Sequence, residues 1–257
     1  MTAFLRQCLA LAEMELRKLR HDPTELATRA LQPVLWLAVF GEVLARIRGM
    51  PTTGHMPYLD FLAPGVLAQS VLFIGIFYGI AVIWERDLGI VHKLLVSPAP
   101  RVALVLGKAL SGGVRGLSQG VAVYLLAWLL GVGLNWRPAA LAGVALAILL
   151  GAATFSTFSL IIACIVKTRE RFMGIGQVLT MPLFFASNAV YPISIMPEWL
   201  KVAAHVNPLT YEVDAMRALM VRGGSSVFGL GLDFGVLLAA TVVLVAMASR
   251  LYSNLVR

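Results

Sequence analysis

"FLAPGVLAQSVLFIGIFYGIAVIWERDLGIVHKLLVSPAPR", residues 61–101, carries no charge from Phe61 to Trp84. It then meets Glu85, Arg86 and Asp87 and ends in a turn bracketed by Pro98 and Pro100. A helix needs about 20 apolar residues to cross the hydrocarbon core of a bilayer. The first part therefore reads as a membrane span, and the charged part as a segment that leaves the lipid. The rest of the chain repeats this pattern. Of its 257 residues, 59% are hydrophobic and 13% charged, against about 45–50% and about 25% in a soluble domain. The expected fold is a single all-α integral membrane domain over 1–257. Six transmembrane helices are expected, at about 27–46, 59–83, 109–132, 139–166, 172–192 and 230–252.

Ahead of the first span, Leu5, Leu9, Ala12, Leu16 and Leu19 recur at helical spacing, with Arg6, Glu13, Arg17, Lys18 and Arg20 on other faces. That pattern predicts an amphipathic helix lying in the membrane interface within residues 1–22. Asp22, Pro23 and Glu25 then supply a helix start. Near the other end of the first span, Glu42 and Arg46 are spaced to pair. With an even number of spans both termini share one side, and that side carries fifteen of the 21 basic residues. The more basic side is expected to be cytoplasmic. Cys8 and Cys164 fall on or near it, which argues against a disulfide.

Small residues recur where helices can approach closely: Gly75 and Gly79 in the second span, and Gly112, Gly116 and Gly120 in the third. They suit packing within one chain or against a second. The second span also carries Gln69, Phe73 and Phe77, roughly opposite its glycines. The fifth carries Gln177, Met181, Phe184 and Asn188, with Pro182 to kink it. Rings, thioethers and amides of this kind can serve ordinary helix contacts, or line a path for an amphiphile.

Residues 196–222 are less apolar and broken by prolines. Two short helices are expected there, separated at Asn207–Pro208, where the residue before a proline leaves the α region. In the second of them Glu212 and Asp214 are assigned to the first turn, Arg217 and Arg222 lie toward the end, and Leu209, Val213, Met216 and Met220 form an apolar stripe. Neither is long enough to span. They either dip into the outer leaflet or cap the outer face.

Several chemistries are absent. No GxxxxGK[ST] loop is present, "LGKA" at 106–109 lacking both the first glycine and the hydroxyl, so no nucleotide site of that kind exists in the chain. His21, His55, His92 and His205 are scattered without metal-ligand spacing, and "GGSS" at 223–226 is not a nucleophile elbow. The spans lack the mid-helix carboxylates usual in proton-coupled transporters.

The stretches "FLAPGVLAQSVLF", "ERDLGIVHKLLVSPAPRVALVLGK" and "YPISIMPEWLKVAAHVNPLTYEVDAMRALM" resemble the membrane-spanning subunits of type-2 ABC exporters, most closely the bacterial drug-resistance and lipo-oligosaccharide permeases. The likeness covers nearly the whole chain. Its most specific part is Asn207–Tyr211, with Asp214 and Arg217 beyond and Trp199 and Pro208 in the same segment. It implies six spans, an N-terminal elbow helix, a coupling helix within 84–101, and re-entrant helices within 196–222. It also implies a bacterial cytoplasmic membrane, a homodimer or close heterodimer, and two separate ATPase subunits that bind the ATP and Mg2+. The resemblance implies no cofactor in this chain, no nucleic-acid partner and no enzymatic role.

In this reading Glu85, Arg86, Asp87, Leu88, Val91, His92 and Leu95 couple to the ATPase, with the charges linking to the elbow helix or the partner. Gln69, Phe73, Phe77, Gln177, Met181, Phe184 and Asn188 line the transport path for a drug, lipid or lipo-oligosaccharide. The family commonly has Glu-Arg-Glu where Asp87 here ends the triplet. An intramembrane enzyme acting on a lipid-linked substrate, or a stand-alone channel or secondary transporter, are the alternatives.

Overall fold

The structure is a computed structural model that describes residues 31–46, 56–91, 101–166 and 168–252. The N-terminal amphipathic arm, Cys8, His92 and Leu95 lie outside the described residues. Eight helices of two turns or more are found among those described: α1 (Leu31–Ala45), α2 (Tyr58–Asp87), α3 (Arg101–Leu129), α4 (Pro138–Ile165), α5 (Arg169–Phe185), α6 (Glu198–Val206), α7 (Pro208–Met220) and α8 (Leu230–Leu251), with a single 3-10 turn at Ile193–Ile195. The only β pairing among them is a single antiparallel bridge between Leu134 and Val221.

Three helices, α2, α4 and α8, are long and apolar enough to cross a membrane, and α1 is a shorter apolar helix. The third helix begins at Arg101, eight residues before the expected start, so Lys108 and Arg115 lie well inside it. The fifth has 17 residues and ends at Phe185, not near 192. At 1.5 Å per residue it is about 26 Å long, whereas the 30 residues of α2 extend about 45 Å. Within α1, residues Leu35–Gly41 are wound as a π-helix, and among the described residues Glu42 and Arg46 do not form the expected ion pair.

The apolar helix α2 is buried nearly all round, as a helix hydrophobic on every face must be. It packs on α4, which also receives α3, α7 and α8. The glycines set these contacts. A Cβ on Gly75 would come within 2.6 Å of Phe155 Cβ, and one on Gly79 within 2.7 Å of Phe172 Cε2. The Ser159 hydroxyl donates to the Ile76 carbonyl and accepts from Gly79 N–H (3.0 Å), joining α4 to α2. Gly116 and Gly120 of α3 face Ile148 of α4, and Gly112 faces Ser156. Both glycine stripes are therefore used inside the chain.

One end of the bundle is held by a large cluster including Leu37, Phe61, Val144, Phe184 and Met216, and the other by a smaller one including Val82, Leu104, Phe172 and Tyr252. At the first end α7 wedges between α2, α4 and α8, with Leu209, Val213, Met216 and Met220 all buried. Because α7 starts at Pro208, Glu212 and Asp214 fall in its second turn, not its first, and both are fully buried. The helix stops at Met220, earlier than the expected Gly223, because Val221 turns extended to pair with Leu134; Gly223, with φ +73°, turns the chain beyond it.

Candidate functional site

The break between α6 and α7 is built by the expected motif. Asn207 caps α7 by accepting from Leu209 N–H (3.0 Å), and Pro208 occupies the first helical position, where a missing N–H costs nothing. The amide of Asn207 donates to the carbonyls of Leu183 (2.7 Å) and Ala186 (3.0 Å). Those carbonyls belong to the end of α5, so one side chain serves two helix ends. Tyr211 donates to the carbonyl of His205 at the end of α6 (2.7 Å). Asp214 accepts from the Ser226 hydroxyl (2.8 Å) and from Val227 and Phe228 N–H (2.7 and 3.1 Å), folding the 226–228 loop over it.

Arg217 lies beneath, 1% exposed. Its guanidinium donates to the carbonyls of Asn188 (2.7 Å) and Phe61 (3.3 Å) and stands 3.8 Å from the centre of the Phe61 ring. A buried cation held by backbone carbonyls and a ring face is a fixed strut between α2 and the turn after α5. Glu212 faces α4, and both of its oxygens lack a hydrogen-bond partner. A Cβ on Gly151 would land on its carboxyl. Complete burial pushes the Glu212 pKa well above the usual carboxylate range. Gly151→Ala should therefore lower stability by about 1–3 kcal/mol through overpacking. The same change in a Glu212→Ala background should cost little. Thermal melts of the four proteins in detergent check this, and strictly additive losses would refute it.

At the opposite end, the three charges after Trp84 bind within the chain. Glu85 pairs with Lys108 of α3. Asp87 pairs with Arg86 (3.0 Å) and with Arg169 of α5 (2.7 Å), and Arg169 also stacks 3.7 Å over the Trp84 ring. These bonds tie Glu85 to α3 and Asp87 to α5, and the elbow helix to which the charges are also expected to link lies outside the described residues. The Arg86 and Arg169 guanidiniums hold the Asp87 carboxyl below its usual pKa. The pairing is thus complete at neutral pH and is lost only as pH falls through that lowered value.

The helix runs through the charges and stops at Leu88–Gly89, where Gly89 has φ +71°. The segment expected to hold the coupling helix, 84–101, thus opens with the end of α2, and helical geometry resumes at Ile90–Val91, beyond which residues 92–100 lie outside the described ones. Leu88 is 68% exposed, whereas Val91 is fully buried in the small cluster, so the two do not share an exposed apolar edge.

The proposed path residues divide. Phe73 and Phe77 are half-buried and stack with ring centres 5.8 Å apart, and Gln69 is buried above them. Gln177 and Met181 lie on the exposed face of α5, beside its buried stripe of Phe172, Gly176, Thr180 and Phe184. Phe184 is buried against Trp36, with ring centres 5.4 Å apart. Asn188 lies beyond the end of α5, buried, with its carbonyl taken by Arg217. The spacing that placed all four on one helical face fails because the helix ends first. Trp199 is exposed with Val202 and Val206 on one side of α6. Sequence reasoning missed the basic pair Arg137 and Arg222, whose cavity is described below. Their only signal was charge at the ends of two connecting segments.

Helices built to cross lipid, with a buried polar knot at one end and an ion-paired rim at the other, define a polytopic membrane protein. The profile of the ABC-2 type transporter family matches residues 6–221, and the chain belongs to that family. Among similar proteins are the transport permease ycf38 of Cyanophora paradoxa, 28% identical over 84% of this chain and 74% of its own length. The daunorubicin resistance ABC transporter permease protein DrrB1 of Streptomyces coeruleorubidus is 24% identical over 91% and 82%. The inner membrane transport permease YadH of Escherichia coli is 25% identical over 71% and 70%. The chain is thus the membrane subunit type of an ABC transporter, a permease and not itself an enzyme.

Proposed function

We propose that the chain is the permease of an ATP-driven exporter that moves a hydrophobic or amphiphilic molecule out of the cytoplasm or the inner leaflet. Two copies, or one copy and a close relative, pair in a bacterial cytoplasmic membrane and bind two ATPase subunits that hold the ATP and Mg2+. Six crossings involve α1, α2, α3, α4, α5 and α8. The end carrying Glu85 and Arg169 faces the cytoplasm with both termini, and α6 and α7 form the outer re-entrant segment. Family membership carries this reading. The drug-resistance permease among the relatives supports the direction and the substrate class, and the fifteen-to-six bias of basic residues supports the orientation. Substrate runs along the half-buried Phe73–Phe77 face and the exposed Gln177–Met181 face.

The test is reconstitution in vesicles with an ATPase subunit that co-purifies with it. The pair should drive ATP-dependent efflux of hydrophobic drugs, and this chain alone should not. Transport by the chain alone would overturn the proposal. Within that assay Glu85→Lys sets two cations together beside Lys108 and should lower drug-stimulated ATP hydrolysis about threefold to tenfold. Adding Lys108→Glu should restore it. If both single variants insert normally and the double variant recovers nothing, the ion pair has no part in coupling.

A further inference from the structure

Beside the Leu134–Val221 bridge, a polar cavity of about 520 Å³ is lined by Asn135, Trp136, Arg137, Arg222 and Gly223. Its frame is rigid. Asn135 N–H donates to the Met220 carbonyl (2.8 Å), Arg222 N–H to the Gly133 carbonyl (2.7 Å), and Arg222 Nε to the Leu134 carbonyl (2.8 Å). Among the described residues, neither Arg137 nor Arg222 forms an ion pair. The Arg137 guanidinium and the two terminal amino groups of Arg222 have no protein partner there. Asp60, in the first turn of α2, accepts from Gly133 N–H (3.3 Å) and lines neither cavity. Arg137 also occupies the N-cap position of α4, a 28-residue helix, without a side-chain capping bond, so the positive end of that helix adjoins the cavity.

Trp136 is shared with a second, apolar groove of about 260 Å³. That groove runs between α3 and α4, past Val121 and Leu125 on one wall and Leu141, Val144 and Ala145 on the other. Its α3 wall extends from Leu117 to Leu125, about 12 Å along the helix axis. The Trp136 ring meets Tyr124 edge-on, with centres 6.0 Å apart, at the mouth. Two unpaired guanidiniums, a helix N-terminus and a tryptophan stand at the top of an apolar channel parallel to the spanning helices. An anionic head and an acyl tail fit that order, and neither a free anion nor an uncharged lipid uses both halves.

We infer that this is a binding site for one anionic phospholipid of the leaflet at this end, its phosphate between Arg137 and Arg222 and one acyl chain between α3 and α4. The site needs the membrane setting only, and stands or falls apart from the transported substrate. Native mass spectrometry of the detergent-purified chain, titrated with phosphatidylglycerol or phosphatidylcholine, tests it. The wild type should retain one phosphatidylglycerol with a preference of about tenfold or more. Arg137→Gln with Arg222→Gln should bring the two lipids to within about twofold. Ala145→Phe, which fills the groove, should weaken both. Glycerophosphoglycerol or inorganic phosphate at equal concentration should not displace the lipid. Undiminished preference in the arginine variant overturns the inference. Displacement by the free headgroup or by phosphate does so too, leaving only an anion site. A folded Ala145→Phe protein with unchanged lipid affinity would remove the groove from it.

Discussion

Exchanging Arg217 for methionine should lower the melting temperature of the purified protein by about 6–20 °C. The side chain is buried, and its guanidinium supplies the hydrogen bonds to the Asn188 and Phe61 carbonyls described above. Methionine fills comparable space but donates nothing, so both carbonyls lose a charge-assisted bond and the Phe61 ring loses its cation. Asp214 keeps its bonds to Ser226, Val227 and Phe228 but loses the compensating charge. Breaking a buried charge arrangement from one side costs about 3–5 kcal/mol. In a chain of this size each kcal/mol shifts the melting point by about 2–4 °C. Arg217→Lys should fall between, because a single ammonium does not reproduce the fork. A methionine variant melting within about 2 °C of wild type would show that the strut is dispensable.

The second large effect is expected at Gly65. A Cβ there would come within 2.9 Å of the Ala189 carbonyl carbon and closer still to its oxygen. The obstacle is backbone, so no rotamer relieves it, and even Gly65→Ala must push α2 away from the 186–190 turn. The loss should exceed ordinary overpacking, which costs about 1–3 kcal/mol. Gly112→Ala is the control, since its Cβ would meet Ser156 Cβ at 3.4 Å, an ordinary contact. Because Gly65 and Arg217 act on the same turn, the double variant Gly65→Ala with Arg217→Met should lose much less than the sum of the two. Additive losses would mean that the two contacts are independent.

The sequence made some of this architecture legible and hid the rest for physical reasons. Long uncharged runs gave α2, α4 and α8, and Asn207–Pro208 gave the break between α6 and α7. The glycine stripes pointed to close helix contacts, though not to which partner they met. The end of α5 was not legible, because no proline or glycine stands between Phe185 and Pro192 to mark it. What stops it is a long-range bond: Asn207 takes the carbonyls of Leu183 and Ala186. The depth of α7 was hidden too. Glu212, Asp214 and Arg217 within six residues look like a solvated helix, and only tertiary packing encloses them. Of the candidate path, Phe73, Phe77, Gln177 and Met181 have open or half-open surface, whereas Phe184 lies on the buried stripe of α5 and Asn188 falls beyond the end of that helix. Val91 was misjudged because a turn at Gly89 separates it from Leu88.

The helices α2 and α5 are fastened to each other at both extremities. At one, Asp87 grips Arg169; at the other, Arg217 spans Phe61 and Asn188. Two rails bolted top and bottom can tilt or swing as a plank but cannot slide past or part from one another. An opening wide enough for cargo is thus more readily made beside this plank than through it, on the flank where the exposed side of α5 meets whatever stands opposite.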